Sequence, residues 1–297
     1  MNGIQPTKQN NKNYRVRRNY FAIFGRQFLM VILSILSLYP VFFMIITSIK
    51  SKEEYVFNKF NLPKMLAWNN FYEVFVGKNF GQWFLNSIIL AVGAVVLCLF
   101  LAVLASFALS RYQFKIRDSI LNFIVALMVI PPVIMVVPLF VFMAKINMIN
   151  TLAGVIMLYA GLTLPFSIYL LTTFFRSVPQ AIIDSSAIDG CSSFRTLTSI
   201  ILPLSMPPIV TLIVVNSLWV WNELMIALIF LQKDELKTLM VGITVFKSRY
   251  SINIPLTMMG LLVITIPMVL LYIFGQKYFV QGLVSGSLKE QEIKWRT

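Results

Sequence analysis

The sequence predicts an all-α membrane protein with six transmembrane helices. Of its 297 residues, 58% are hydrophobic and only 12% are charged, whereas a soluble domain carries about 25% charged residues. Six long runs contain no charged residue, and each exceeds the roughly 20 residues that a helix needs to cross a bilayer. The chain shows neither the alternation of a transmembrane barrel nor a period of a repeat protein.

The chain begins with a polar, basic segment over residues 1–26 that contains no acidic residue. A short basic segment next to a span is typical of a cytoplasmic tail. Although the net charge of +14 could indicate nucleic acid, the charges lie at the ends of apolar runs, as membrane anchors do. We therefore expect contact with membrane lipid and no nucleic-acid partner. The basic residues of this tail are Lys8, Lys12, Arg15, Arg17, Arg18 and Arg26.

One transmembrane domain is predicted over residues 27–279, followed by a second tail over 280–297. Two shorter apolar pieces, 224–232 and 238–246, cannot span a bilayer and are predicted to form re-entrant or interfacial elements in the last external loop. The six spans are predicted at about 28–49, 84–108, 119–143, 152–175, 201–222 and 256–279.

The distribution of basic residues predicts the orientation. Six spans place both termini on one side of the membrane, and that side holds 15 of the 25 Lys and Arg residues. Since cytoplasmic loops are enriched in Lys and Arg, both termini are predicted to face the cytoplasm.

The missing residue types exclude several classes of chemistry. The chain contains no histidine, which removes Ser-His-Asp catalysis and histidine ligation of metals. Cys98 lies in an apolar run and Cys191 in a polar segment, so no disulfide is expected. No charged residue lies deep in a span, whereas ion pumps and proton-coupled carriers usually need one there. These absences favour a neutral solute and an external source of energy.

A long polar segment lies between two apolar runs in the second half of the chain. It lies over residues 177–200, which we call the elbow. Ser177 is predicted to cap a first short helix, with Pro179 in its first turn. Gly190 can end that helix in the left-handed conformation, and Ser192 or Ser193 can cap a second helix, which Pro203 interrupts. Two short helices joined at a glycine beside a membrane are suited to contact with another protein.

The elbow resembles the EAA loop of binding-protein-dependent ABC importers. That pattern is roughly E-A-A-x-x-x-G, nine residues, then I-x-L-P. Asp184, Ser185 and Ser186 stand where the family has Glu-Ala-Ala, followed by the matching Ile188, Asp189 and Gly190, and by the matching closing run Ile200-Ile201-Leu202-Pro203. Flanking residues 165–169 and 174–179 are similar to the carbohydrate branch, which contains the maltose-importer permeases.

The resemblance implies the type I ABC importer permease fold, with the elbow as a cytoplasmic EAA coupling-helix loop. It implies a non-catalytic subunit of a bacterial inner membrane that passes a carbohydrate, such as an oligosaccharide. The implied partners are a second, homologous permease, an ABC ATPase dimer and an extracytoplasmic solute-binding protein. No cofactor or metal is then expected in this chain, because ATP and Mg would be bound by the ATPase.

Polar and aromatic residues within the spans are candidates for the substrate path. Sugars are bound through amide–hydroxyl hydrogen bonds and by stacking on aromatic rings. For the two tryptophans, the alternative is an interfacial aromatic belt. The proline pairs at 131–132 and 207–208 are predicted hinges. The path candidates are Asn86, Asn216, Trp219, Trp221 and Asn222.

Three alternative functions remain open from the sequence. The first is an ABC importer permease for another neutral solute. The second is a secondary carrier, against which the elbow argues because a carrier driven by an ion gradient needs no docking site for an ATPase. The third is a membrane-embedded enzyme, which would need convergent acids, bases or metal ligands that the apolar runs lack.

Overall fold

The computed structural model describes residues 20–76, 79–244 and 253–294, with side chains except those of 20–23 and 277–294. Most of the predicted tail over residues 1–26 and the end of the tail over 280–297 therefore lie outside the described residues. Within the described part of the chain, the regular elements are helices and none is a strand. The prediction of an all-α protein is confirmed.

The helices are numbered in chain order, and a π-helical segment and a 3-10 turn occur among them. The π-helical segment is Leu197–Ile201 and the 3-10 turn is Asp234–Leu236. The α-helices are α1 Tyr20–Ser48, α2 Lys52–Phe57, α3 Asn69–Phe75, α4 Phe80–Arg111, α5 Arg117–Leu127, α6 Pro132–Lys145, α7 Leu152–Ser177, α8 Gln180–Ile188, α9 Ser193–Thr196, α10 Leu202–Leu204, α11 Met206–Asn222, α12 Met225–Phe230, α13 Leu239–Thr244 and α14 Ile254–Lys294.

Among the described residues, four helices are long and apolar enough to cross a membrane, and up to six spans result if two bent pairs each count as one. The four lie at Phe24–Ser48, Phe80–Arg111, Leu152–Ser177 and Ile254–Gln276. The bent pairs are Arg117–Leu127 with Pro132–Lys145, at 102°, and Ser193–Leu204 with Met206–Asn222, at 76°.

Both bends lie beside a proline pair that was predicted to act as a hinge. Pro131 is extended, with ψ at 131°, and Pro132 starts α6. Met206 and Pro207 start α11 directly after Ser205, which interrupts the helix. A proline cannot donate the backbone hydrogen bond of a continuing helix, and it disfavours helical geometry in the residue before it. The run predicted as a span at 119–143 is therefore two helices meeting at a sharp angle rather than one rod.

The core of the molecule is built on α4 and α7, which pack against each other along their length. One apolar cluster gathers Trp83, Leu90, Tyr159 and Phe230 near the start of both helices. A second gathers buried side chains such as Phe175 near their ends, at the elbow. Helices α11 and α14 complete the packing, whereas α1 contacts mainly α14 and is almost wholly exposed. The exposed apolar surface of α1 fits a lipid or protein environment.

Candidate functional site

The elbow is a helix–glycine–helix unit, as predicted. Helix α8 ends at Ile188, and Gly190 has a φ of +76°. The N–H of Cys191 donates to the carbonyl of Ser186 at 3.0 Å, and that of Gly190 to the carbonyl of Ala187 at 3.1 Å. This pair of bonds is the Schellman motif, which requires a left-handed residue at the glycine position. The prediction that Gly190 ends the first helix is confirmed.

Two predicted details of the elbow are wrong. Ser177 does not cap α8, because α7 continues through this residue and its hydroxyl donates to the carbonyl of Phe174 at 2.8 Å. Pro179 occupies the capping position instead, without a side-chain bond. The extended conformation that a proline imposes on the preceding residue explains why the turn falls at Val178 and Pro179.

The second helix is capped by Ser192, whose hydroxyl accepts from the N–H of Arg195 at 3.3 Å. The helical run continues from α9 through the π-helical segment and α10, so it is not interrupted at Pro203, as predicted, but ends at Ser205. In the preceding π-helical segment, the N–H of Leu202 donates to the carbonyl of Leu197, five residues earlier. The wider π turn accommodates the missing N–H of Pro203, so the bend is displaced by two residues.

The residues that match the EAA pattern fall into two groups. Asp184, Ser185, Ile188, Asp189 and Gly190 are exposed and available to a partner, and Pro203 is also exposed. Gln180 donates to the carboxylate of Asp184 at 2.9 Å, along α8. The arrangement leaves one face of α8 open.

Ser186 belongs instead to the inside of the elbow. Its side chain is buried, its hydroxyl donates to the carbonyl of Ile183 at 2.7 Å, and it lies 3.1 Å from the hydroxyl of Thr196. This hydrogen bond joins α8 to α9, so the two short helices are held together as one unit.

Of the exposed apolar side chains on the elbow, Ile188 was predicted as a site residue through its match to the family pattern, whereas Phe194 and Ile182 were not. Ile188 is 86% exposed and Phe194 is 67% exposed, and Ile182 is also exposed. Large apolar side chains exposed close together on one short unit are suited to a contact with another protein. The available signal was their presence in an otherwise polar stretch of sequence.

Two of the asparagines predicted to line the substrate path, Asn216 and Asn86, are buried in the structure. Asn216 is 2% exposed and donates to the hydroxyl of Ser167 at 3.0 Å, and the thiol of Cys98 lies 3.3 Å from that hydroxyl. Asn86 is 1% exposed and donates to the carbonyls of Glu235 and Lys237 at 2.8 and 3.0 Å. In this conformation both amides link helices or loops within the chain.

The other three candidates lie near the end of α11. Trp221 is buried, and its indole N–H donates to the carbonyl of Ile264 at 3.2 Å. Trp219 is half-buried and meets the ring of Tyr159 edge-on, with 5.7 Å between ring centroids. Asn222 is exposed and donates to the carbonyl of Leu218 at 2.8 Å. Trp219 and Asn222 thus keep surface available for contact.

Two cavities lie on one face of α7. The first, of about 250 Å³, is mostly apolar and adjoins the bend between α5 and α6. The second, of about 260 Å³, lies nearer the elbow, and most of the residues that line it have a polar group in their side chain. Together they follow α7 from Gly161 to Arg176. The polar lining consists of Asp118, Asn122, Tyr169, Thr172, Thr173 and Arg176, beside Leu121 and Val125.

Among the described residues, no group of three or more His, Cys, Asp or Glu side chains is placed to hold a metal ion. The site is therefore described by its elbow, its bent spans and its cavities. A polytopic helical fold with broken spans and an exposed elbow is compatible with the class of membrane transport permeases.

Comparison with known proteins identifies the family. Residues 95–284 match the family described as "Binding-protein-dependent transport system inner membrane component". A putative ABC transporter permease protein, ORF2, of Caldicellulosiruptor sp. is 36% identical over 84% of this chain and 91% of its own length. The arabinooligosaccharides transport system permease protein AraQ of Bacillus subtilis is 30% identical over 87% of this chain and 93% of its own.

The fold has a counterpart among solved structures. A chain of a bacterial ABC transporter involved in the import of the acidic polysaccharide alginate superposes with a TM-score of 0.78. It is 20% identical, and the match covers 93% of this chain and all of that chain. The chain described here belongs to the family of inner-membrane components of binding-protein-dependent transport systems. It is a permease subunit of an ABC transporter, and the resemblance inferred from the elbow sequence is confirmed.

Proposed function

We propose that this chain is one of two permease subunits of an ATP-driven importer for a neutral oligosaccharide. The observation that carries the proposal is the exposed elbow, which lies within the matched region of a family defined by binding-protein-dependent transport. The names of several relatives support the substrate class, among them an arabinooligosaccharide permease and a melibiose, raffinose and stachyose permease.

In this proposal the ATPase dimer binds to the elbow. Its contact surface comprises the exposed Asp184, Ser185, Asp189 and Gly190, together with the apolar Ile188. An apolar side chain surrounded by polar ones is the usual anatomy of a small protein interface. ATP and Mg are bound by the ATPase, and this chain contributes movement rather than catalysis. The elbow then faces the cytoplasm, as the distribution of Lys and Arg predicts.

The connection between α11 and α14 is proposed as the surface for the binding protein on the opposite side. Its base is well fixed: the carboxylate of Glu223 accepts from the N–H of Ile226 at 2.9 Å and from the hydroxyl of Tyr159 at 2.7 Å. The side chain of Asn150 accepts from the N–H of Gln232 at 2.7 Å. A loop held in this way can present a defined surface to a partner.

The substrate path is proposed to follow the face of α7 that bears the two cavities. Carboxylate, amide, hydroxyl and phenol groups such as those of Asp118, Asn122, Thr173 and Tyr169 suit sugar hydroxyls. Trp219 and Asn222 remain proposed contacts because they retain exposed surface. The hydrogen bonds of Asn86, Asn216 and Trp221 favour a packing role for these three candidates in this conformation.

Co-expression with stepwise omission tests the proposal. The chain would be produced with a second permease, an ATPase and a binding protein, and uptake of a labelled oligosaccharide that the binding protein retains would be measured. Omission of any component is expected to abolish uptake. Uptake that persists without the ATPase or without the binding protein would favour a secondary carrier, and this outcome would overturn the proposal.

A further inference from the structure

Helices α4 and α7 end beside each other at the elbow, and each has an arginine in its last turn. Arg111 of α4 donates through Nη2 to the carbonyls of Phe175 and Val178, at 2.5 and 3.2 Å. Through Nη1 it donates to the side-chain oxygen of Gln180 at 3.2 Å. One guanidinium group therefore contacts the last turn of α7, the connector and the first residue of α8.

These contacts have a physical basis in the end of α7. The last four carbonyls of a helix have no partner within the helix and carry a partial negative charge. The guanidinium group of Arg111 offers several donors in a fixed plane, so it can satisfy carbonyls of α7 and hold Gln180 at the same time. Lysine offers a point charge and cannot reproduce this geometry.

The second arginine, Arg176 of α7, makes a longer hydrogen bond back to α4. Arg176 of α7 donates to the carbonyl of Leu109 in α4 at 3.5 Å and lies 3.9 Å from the carboxylate of Asp118. The ends of α4 and α7 are thus joined in both directions: Arg111 of α4 bonds to carbonyls at the end of α7, and Arg176 of α7 bonds to a carbonyl of α4. The bonds of Arg111 are the shorter ones.

Arg111 lies beneath the elbow rather than on its open face. Its Nε is buried without a hydrogen-bond partner. Arg111 lines a cavity of about 170 Å³ together with Tyr112 of the α4 end and with Ile183 and Ser186 of α8. The proposed ATPase surface is formed by other residues, so Arg111 acts on the elbow from inside the chain.

We propose that Arg111 is a positioning residue that couples movement of α8 to α4 and α7, so that the three helices move as one body. This inference rests on the proposed function, in which the ATPase moves α8. Without Arg111, the direct hydrogen bond from α4 to α8 is lost, and α8 is held by the extended connector at Val178 and Pro179 and by the packing of Ile183. Closure of the ATPase would then move the elbow without moving the spans to the same extent.

The test compares Arg111→Met with Arg111→Lys in the full transport complex. The measured quantity is the amount of sugar transported per ATP hydrolysed, with ATPase retention and complex melting temperature recorded alongside. The loss of charge-assisted hydrogen bonds by Arg111→Met predicts a fall of about tenfold in that ratio. Arg111→Lys is expected to give an intermediate ratio. Arg117→Met is the matched control, since Arg117 pairs only with the exposed Asp118 in its described contacts.

A second variant keeps the inference testable if Arg111→Met fails to insert. Gln180→Ala removes the bond from Arg111 to α8, together with the bond from Gln180 to Asp184, and leaves the carbonyls of α7 capped. We expect it to lower sugar transported per ATP without changing the melting temperature. The inference is overturned if Gln180→Ala and Arg111→Lys keep the wild-type ratio, or if their losses are matched by Arg117→Met. Failure of the wild-type ATPase to bind would instead overturn the proposed function.

Discussion

A substitution series at Gly190 examines the elbow in detail. Gly190 has a φ of +76° and closes the Schellman motif at the end of α8. A Cβ added there would meet no atom of this chain within 4 Å. Within the chain, the cost of a side chain is therefore the backbone conformation alone, about 1–2 kcal/mol for an ordinary L-residue. That cost corresponds to a factor of roughly 5–30 in an equilibrium constant.

The series separates backbone strain from contact with the ATPase. Gly190→Asn introduces a side chain that tolerates the left-handed region, whereas Gly190→Ala introduces strain with the smallest side chain. Gly190→Leu combines strain with bulk. Retention of the ATPase on the affinity-tagged chain and sugar uptake would be measured, with membrane level as the control for insertion.

We expect Gly190→Leu to abolish uptake and to lower ATPase retention while the chain still inserts. If the strain dominates, Gly190→Ala should lower retention more than Gly190→Asn. If a groove of the ATPase closes around Gly190, Asn should be worse than Ala. Wild-type retention and uptake in Gly190→Leu would refute the reasoning, because the elbow would then be an ordinary loop.

Two further predictions concern topology and packing. In a chain without native cysteines, a cysteine at the exposed Lys59 should react with an impermeant thiol reagent on intact cells, and one at the exposed Lys115 should not; the reverse pattern would invert the orientation. Gly242→Ala should lower the free energy of unfolding by about 1–3 kcal/mol through overpacking, and with it the melting temperature, because its Cβ would overlap the ring of Trp83. Gly81→Ala has open space around the added Cβ and is the control; equal losses in both would contradict the packing argument.

Much of the fold was predictable because membrane spans can be recognised in a sequence as long runs without charged residues. The elbow was predictable for the same reason, as a polar segment between such runs with Gly190 at its centre. The size of each bend was not predictable, since a proline removes one hydrogen bond but the packing of neighbouring helices sets the angle. The π-helical segment before Pro203, which displaces the bend to Ser205, has no sequence signal of its own.

The roles of single polar residues depend on tertiary contacts. An asparagine in an apolar run has the same sequence pattern whether it faces a solute path or binds a neighbouring helix. Only the packing shows that Asn216 contacts Ser167, 49 positions away. Arg111 likewise appears in the sequence as a membrane anchor at the end of a span, and its contact with Gln180, 69 positions away, requires the folded chain.

Cross-linking within the assembled complex tests the central claim most directly, namely that an ATPase docks on the elbow. Ile188, which is 86% exposed on α8, would be replaced by cysteine in a chain lacking Cys98 and Cys191. The complex would then be treated with a short reagent that joins this thiol to a lysine amine of a neighbouring chain. The exposed Lys115, replaced in the same way, is the control. A cross-link to the ATPase from Ile188→Cys and none from Lys115→Cys is the predicted result. No cross-link from Ile188→Cys, or equal cross-linking from both positions, would contradict the docking of the ATPase on α8.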